Sequence, residues 1–185
     1  YVSCTGPRAC YDEAKRFGET LCVVYREKFN MPISVVRPFN NYGPGMNIND
    51  KRLPADLAKC IQDNKDIVLF SDGSPTRTFC YVTDAIVGFL KVLSNNQKTE
   101  FNIGMDANEI SVFDLAKFYK EIGSQKFNYQ GNIIKAVSKD PQYLKDNPNR
   151  RKPNINKAKE LLNYYPKIDI YHGIEKYLDF IFFKK

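Results

Sequence analysis

The sequence predicts an α/β protein. Short β-branched or aromatic runs alternate with stretches whose apolar residues recur every three or four positions, from one end of the chain to the other. Hydrophobic residues make up 43% and charged residues 26%, a globular balance rather than a disordered one. With 185 residues there is room for one ordinary domain or for parts of two.

Phe17, Leu21, Val24, Tyr25 and Phe29 recur at helical steps and predict a helix from Tyr11 to about Asn30, ended by Met31-Pro32. Ile33 to Val36 reads as a buried strand, with dense turn chemistry from Asn40 to Gly45 at its C-terminal end. Open α/β sheets place ligands there. A helix over Leu53 to Asp63, a strand over Ile67 to Phe70, a turn over Ser71 to Pro75 and a strand over Phe79 to Val82 follow. Thr83 or Asp84 is the expected cap of a helix running to about Leu93. A strand over Glu100 to Gly104 precedes Ser111, the expected cap of a helix from Val112 to Ile122. Ile133 to Val137 reads as a strand, Lys139 to Pro153 as a long polar loop, and Asn156 to Asn163 and Tyr171 to Phe182 as closing helices. There are no repeats and no low-complexity tracts.

Several function classes drop out. No apolar run approaches the roughly 18 residues of a membrane span. Five cysteines without a CxxC read as reduced, buried thiols of a cytoplasmic protein. His172, the single histidine, disfavours zinc and a histidine-based triad, so no metal is expected. The net charge of +7 suits a lysine-rich surface or an anionic partner. Basic residues are dispersed except at Arg150-Arg151-Lys152, with no basic-aromatic module, so nucleic acid ranks third. The chain opens on Tyr1 with no leader pattern, which reads as a cut or processed end.

Tyr11 and Lys15 form a YxxxK pair. On a helix the two share one face, one turn apart. An ammonium beside a phenol favours the phenolate, and the pair becomes a general base able to take a proton from a sugar hydroxyl. The spacing alone says little, since a chain with 12 tyrosines meets it about once by chance. No GxGxxG-type turn occurs in the sequence, so a nucleotide enzyme built on this chain would be represented by its C-terminal part.

The string Gly6-Pro7-Arg8-Ala9-Cys10-Tyr11-Asp12-Glu13-Ala14-Lys15-Arg16 resembles the active-site helix of UDP-glucuronate decarboxylases. These belong to the extended short-chain dehydrogenase/reductase superfamily of nucleotide-sugar epimerases and dehydratases. The resemblance continues at Arg37-Pro38-Phe39-Asn40-Asn41-Tyr42-Gly43-Pro44 and from Asp72 to Asp84. It resumes at Phe101-Asn102-Ile103-Gly104, Glu109-Ile110-Ser111-Val112 and Arg151-Lys152-Pro153-Asn154-Ile155, covering almost the whole chain in order.

That resemblance implies the C-terminal part of an NAD(P)-binding Rossmann fold plus a small α/β substrate-binding domain. Residues 1–45 and 78–105 would complete the dinucleotide half, and 46–77 and 106–185 the substrate domain. It implies NAD as cofactor, a UDP-linked sugar as substrate and a homodimer formed through the YxxxK helix, where Phe17, Leu21 and Tyr25 serve the interface or the core. Tyr11 is the implied base and Lys15 its partner, which also reaches the nicotinamide ribose. Pro38 and Phe39 lie against the nicotinamide. Asn40, Arg77 and Arg151 match positions that bind the diphosphate, a task that suits arginine's planar fork. The implied reaction begins with oxidation at C4 of the sugar and ends in decarboxylation of UDP-glucuronate to UDP-xylose. Ala14 and Gly45 depart from the decarboxylase pattern, and a stretch such as Tyr143 to Asn149 is added before Arg151. These departures leave 4-epimerisation and 4,6-dehydration open. A reading of another class also stands: a fragment or partner domain that binds nucleotide sugar without catalysis.

Overall fold

The computed structural model describes residues 4–7, 9–137 and 148–183. The added stretch from Tyr143, apart from its last residues Pro148 and Asn149, lies outside them. Helix α1 (Ala9–Phe29) leads into β1 (Val35–Pro38) and β2 (Asn41–Tyr42). After α2 (Leu53–Gln62) come β3 (Ile67–Leu69), β4 (Thr76–Arg77) and β5 (Cys80–Tyr81). Then follow α3 (Val82–Leu93), β6 (Glu100–Ile103), β7 (Ile110–Ser111) and α4 (Val112–Phe127). The chain closes with β8 (Ile133–Lys135), β9 (Arg150–Arg151), α5 (Asn156–Leu162) and α6 (Ile170–Phe183). The α/β class is observed.

Strands from distant parts of the sequence meet in small patches. β1 pairs with β6, β2 with β5 and β3 with β8, all parallel. β4 lies between β7, antiparallel, and β9, parallel. Parallel neighbours need long crossovers, and the intervening helices supply them.

Two cores result. Tyr42, Ile61, Phe79, Leu115, Tyr119, Ile174 and Tyr177 lead the larger one, which joins α2, α4 and α6 to the strands around them. Phe101, Ile103, Val92, Ile155, Leu162 and Tyr164 form the smaller, where α3 and α5 cover β6. In contrast, α1 buries none of its residues, and Phe17 is 63% exposed.

Most predicted elements stand within a few residues, with five corrections. The first strand is half-buried to exposed rather than buried, and the stretch expected as a loop up to Pro153 holds the strand β9. α3 begins at Val82 with Tyr81 in the capping position and no side-chain cap. Asp84 instead accepts hydrogen bonds from the backbone N–H groups of Lys167 and Ile168, both at 2.8 Å, and so ties the segment before α6 to α3. Ser111 does cap its helix, accepting from the Asp114 N–H at 3.0 Å, but α4 runs past Ile122 to Phe127 before Asn128 ends it in a left-handed conformation. The thiols are not uniformly buried: Cys4 and Cys10 are exposed, Cys22 and Cys60 half-buried, and Cys80 buried.

Gly88 sets the distance between α3 and β6. A Cβ there would lie 2.5 Å from Ile103 Cγ2 and 2.9 Å from Tyr164 Cε2. Ile103 is fully buried and has nowhere to retreat. Alanine gains at most about 1 kcal/mol of helix propensity over glycine, less than the roughly 1–3 kcal/mol that overpacking costs. Gly88→Ala is therefore expected to lower the urea midpoint with an unchanged m-value, a net destabilisation of up to about 2 kcal/mol. A midpoint at or above wild type would show that α3 can slide away.

Candidate active site

Tyr11 and Lys15 stand one turn apart near the start of α1. Tyr11 is 61% exposed, and the Lys15 Nζ sits over its ring at 5.6 Å from the centroid. The i, i+4 spacing dictates that neighbourhood. α1 is tied to β1 by a two-pronged ion pair: Arg37 Nε and Nη2 donate to the Glu19 carboxylate at 2.6 and 2.5 Å. The Arg37 guanidinium holds the Glu19 carboxyl below its usual range. Farther along, Arg26 donates to the Lys98 carbonyl at 2.5 Å, beside the entry to β6.

At the C-terminal end of β1, Pro38 lies opposite Ile103 of β6. The Phe39 N–H donates to the Ile103 carbonyl at 2.9 Å. A Cβ on Gly104 would come within 2.8 Å of Phe39 Cβ, so glycine is what lets these two segments close. Asn40 is left-handed, with φ of 44°. Its side-chain amide donates to the Thr78 carbonyl at 2.8 Å, and its own carbonyl accepts from the Cys80 N–H at 3.2 Å. Asn40 thus stitches the β1–β2 corner onto the segment that follows Arg77.

Arg77 and Arg151 are brought side by side. They are register partners on the parallel pair β4–β9, so both project from the same face of that small sheet. Arg77 is buried, at 9% exposure, and its Nη1 donates to the carbonyls of Thr76 at 2.7 Å and Asn149 at 3.2 Å. The opposite face carries Thr76, Arg150 and Glu109. Arg150 Nε donates to Glu109 Oε1 at 2.8 Å and Nη2 to Oε2 at 2.8 Å, while the Thr76 hydroxyl donates to Oε1 at 2.5 Å.

Asn40, Arg77 and Arg151 therefore belong to one connected structure, with Pro38 and Phe39 leading into it. Tyr11 and Lys15 belong to α1, which is joined to β1 farther along the helix through Glu19 and Arg37.

The sequence reading missed an open cleft of about 400 Å³ lined by Phe70, Ser71, Asp72, Lys135, Ala136 and Val137. It lies just past the C-terminal ends of β3 and β8, the position where parallel strands present ligands. Both strands were legible as apolar runs, but nothing local in the sequence says that they pair. Among the described residues no group of acidic, histidine and cysteine side chains could hold a metal ion, and no helix is long and apolar enough to cross a membrane.

Helix α1, ahead of the first strand, carries the tyrosine–lysine pair, the β1–β2 corner carries a left-handed asparagine, and β4 and β9 carry the register-paired arginines of this α/β chain. The NAD dependent epimerase/dehydratase family matches residues 2–104, and the chain belongs to that family. UDP-glucuronic acid decarboxylase 3 of Arabidopsis thaliana is 35% identical over 173 residues, 94% of this chain and 48% of that protein. The chain thus spans about half the length of that curated relative. UDP-glucuronic acid 4-epimerase from Bacillus cereus, solved in complex with UDP-glucuronic acid and NAD, is 30% identical, with a TM-score of 0.71 over 89% of this chain and 49% of that one. UDP-glucose 4-epimerase from Thermotoga maritima, solved with UDP-glucose, reaches a TM-score of 0.81 at 22% identity over 92% of this chain and 52% of that one. These likenesses establish the Rossmann-type α/β fold.

Glu109 gives the site a pH signature. Hydrogen bonds from Arg150 and then from Thr76 hold its carboxyl down from 4.5 to about 2. A carboxyl whose pKa falls on folding stabilises the fold fully above its unfolded value and loses that contribution as pH drops toward the folded one. Solvent screens this exposed pair, so urea midpoints of wild type and Glu109→Gln should differ only slightly at neutral pH and converge as pH falls from 4.5 to about 2. A constant offset across that window would mean that the pair contributes by shape rather than charge.

Proposed function

We propose that this chain is the C-terminal part of an NAD-dependent enzyme that oxidises a nucleotide sugar at C4, with UDP-glucuronate as substrate and decarboxylation to UDP-xylose as the reaction. The observation that carries the reading is the register pairing of Arg77 with Arg151, which starts both side chains from one sheet face. A planar, always-charged fork is the side chain best suited to a diphosphate, and two of them match its two negative phosphoryl groups. In this reading 46–77 and 106–185 hold the sugar nucleotide, while 1–45 and 78–105 complete the dinucleotide half. The cleft at Phe70 and Lys135 takes the nucleotide end, with an aromatic face and a cation at hand.

The residues present fit the nicotinamide end of NAD. Tyr11 offers a hydroxyl and Lys15 an ammonium on the exposed face of α1, and Gly104 leaves room for the Pro38–Phe39 backbone to close over the strand ends. NAD, when bound, supplies the hydride acceptor and donor. The chain's own part is to orient and to move protons. Tyr11 accepts the C4 hydroxyl proton, and Lys15, one turn along the same helix, presents its ammonium to the same ligand. Asn40, Arg77 and Arg151 fix the diphosphate so that C4 faces Tyr11, converting binding energy into position. Once C4 is a ketone, a carboxylate on C5 is β to it, and loss of carbon dioxide leaves a stabilised carbanion.

The longest gene product containing this chain, incubated with NAD and UDP-glucuronate, should release carbon dioxide and form UDP-xylose. Tyr11→Phe should lower kcat by at least about 100-fold with little change in the affinity for UDP. Formation of a UDP-hexuronate without carbon dioxide would convert the reading to 4-epimerase. Absence of any C4 chemistry, with UDP still bound, would leave a nucleotide-sugar binding domain.

A homodimer through α1 belongs to the same reading. Phe17, Leu21 and Tyr25 are 63%, 41% and 48% exposed along one helix face. Sedimentation should give a dimer for wild type and a monomer for Leu21→Glu, since a charge buried without a partner is too costly to keep. A Leu21→Glu dimer would place the interface elsewhere.

A further inference from the structure

The paired arginines pose an electrostatic problem, because like charges placed directly opposite on neighbouring strands repel. β9 is only two residues long, and a strand of that length has little ladder of its own to hold register. The backbone supplies the Thr76 N–H to the Asn149 carbonyl at 2.7 Å and the Thr78 N–H to the Arg151 carbonyl at 3.2 Å. A slip of one residue would turn Arg151 to the far face and bring Arg150 beside Arg77 instead. The charge at the site would be the same and its geometry wrong.

Glu109 stands immediately before β7, on the far side of the middle strand β4. By strand alternation Glu109, Thr76 and Arg150 share the face opposite Arg77 and Arg151. Its carboxylate reaches across β4, takes the Thr76 hydroxyl on the way at 2.5 Å and receives the Arg150 guanidinium on both oxygens. One acidic side chain thus spans all three strands of the patch. It also neutralises Arg150, the neighbour of Arg151.

We propose that Glu109 is a positioning residue: by clamping Arg150 across β4 it fixes the register of β9 and holds Arg151 beside Arg77 as a two-guanidinium site for a diphosphate. The inference rests on the diphosphate role given to these arginines above. Its mechanism is distinct, because Glu109 acts from the opposite face and touches no ligand. The two-pronged geometry is what makes Glu109 suited to the task, since a single hydrogen bond would let the guanidinium swing. An exposed ion pair adds little to stability, so its effect should be felt in binding geometry more than in folding.

The test is calorimetric titration of inorganic pyrophosphate, UDP and uridine into wild type, Glu109→Gln, the charge swap Glu109→Arg/Arg150→Glu, and Glu175→Gln. The last removes a comparable surface pair with Lys126, remote in sequence from the patch. Glu109→Gln should weaken pyrophosphate and UDP about tenfold, the effect expected for losing one charged hydrogen bond. Uridine should be unchanged, the charge swap should recover much of the loss, and Glu175→Gln should match wild type. Pyrophosphate affinity within about twofold of wild type in Glu109→Gln, or an equal loss for uridine, would overturn the clamp. If pyrophosphate binding falls in Glu109→Gln while wild type holds UDP no better than pyrophosphate, the clamp stands and the nucleotide-sugar reading falls. Wild type binding neither anion would overturn both.

Discussion

The packing of Tyr42 is the constraint on which the larger core of the molecule depends. Its ring meets Phe79, Tyr81 and Tyr177 edge-on, with centroids 6.2, 5.7 and 6.4 Å away. Edge-to-face contacts of this kind are worth about 0.5–1.5 kcal/mol each beyond the area they bury. The Tyr42 hydroxyl reaches the Ile170 carbonyl at 3.4 Å, over a position where only Gly173 leaves room. One side chain thereby pins the turn after β1 to β5 and to α6. Desolvation in that packing pushes its phenol far above the ordinary range, so it remains neutral and serves as structure. Asn40 is two residues upstream, and its reach to Thr78 depends on this anchor.

The charged groups divide the work differently. Arg37 with Glu19 and Arg150 with Glu109 are both two-pronged pairs at the surface, where each contributes little net stability. Their value is directional. Each joins segments that share no apolar core contact of their own: α1 to β1 in the first case, β9 to the β7 side of β4 in the second. Apolar packing fixes how far apart these parts lie, and the forked pairs fix how they are turned.

Much of this was legible in the sequence, and the part that was not has a common cause. The long helices announced themselves through apolar periodicity, and β1, β3 and β6 through β-branched and aromatic runs. The two-residue strands β2, β4, β7 and β9 did not, because two residues carry no period; each is a strand only by virtue of its neighbour. The candidate residues Tyr11, Lys15, Asn40, Arg77 and Arg151 came from motifs, and their spacing could place Tyr11 with Lys15 but not Arg77 with Arg151, which lie on separate strands. Glu109 stood out in the sequence only as part of the string Glu109-Ile110-Ser111-Val112, and Arg150 only as part of the basic run Arg150-Arg151-Lys152. Only the three-strand patch gives them a joint task.

The molecule's two halves of a site are held with unequal firmness, and this follows from where the apolar area is. Arg77 is buried and flanked by strands on both sides, so its position is set by the larger core. Tyr11 stands on a helix that buries no residue, and polar contacts at Glu19 and Arg26, with one at Asn30 just past its end, tie that helix to β1 and to the segment before β6. These three contacts lie at least two turns beyond Tyr11. A proton acceptor must sit within hydrogen-bond reach of its substrate, and a misplacement of about 1 Å can cost on the order of 100-fold in rate. In the proposed reading the diphosphate side is preorganised by the fold of these residues, whereas the precision of the tyrosine side depends on covering the apolar face of Phe17, Leu21, Val24 and Tyr25. On that reading, affinity for the nucleotide and competence for proton transfer are separable.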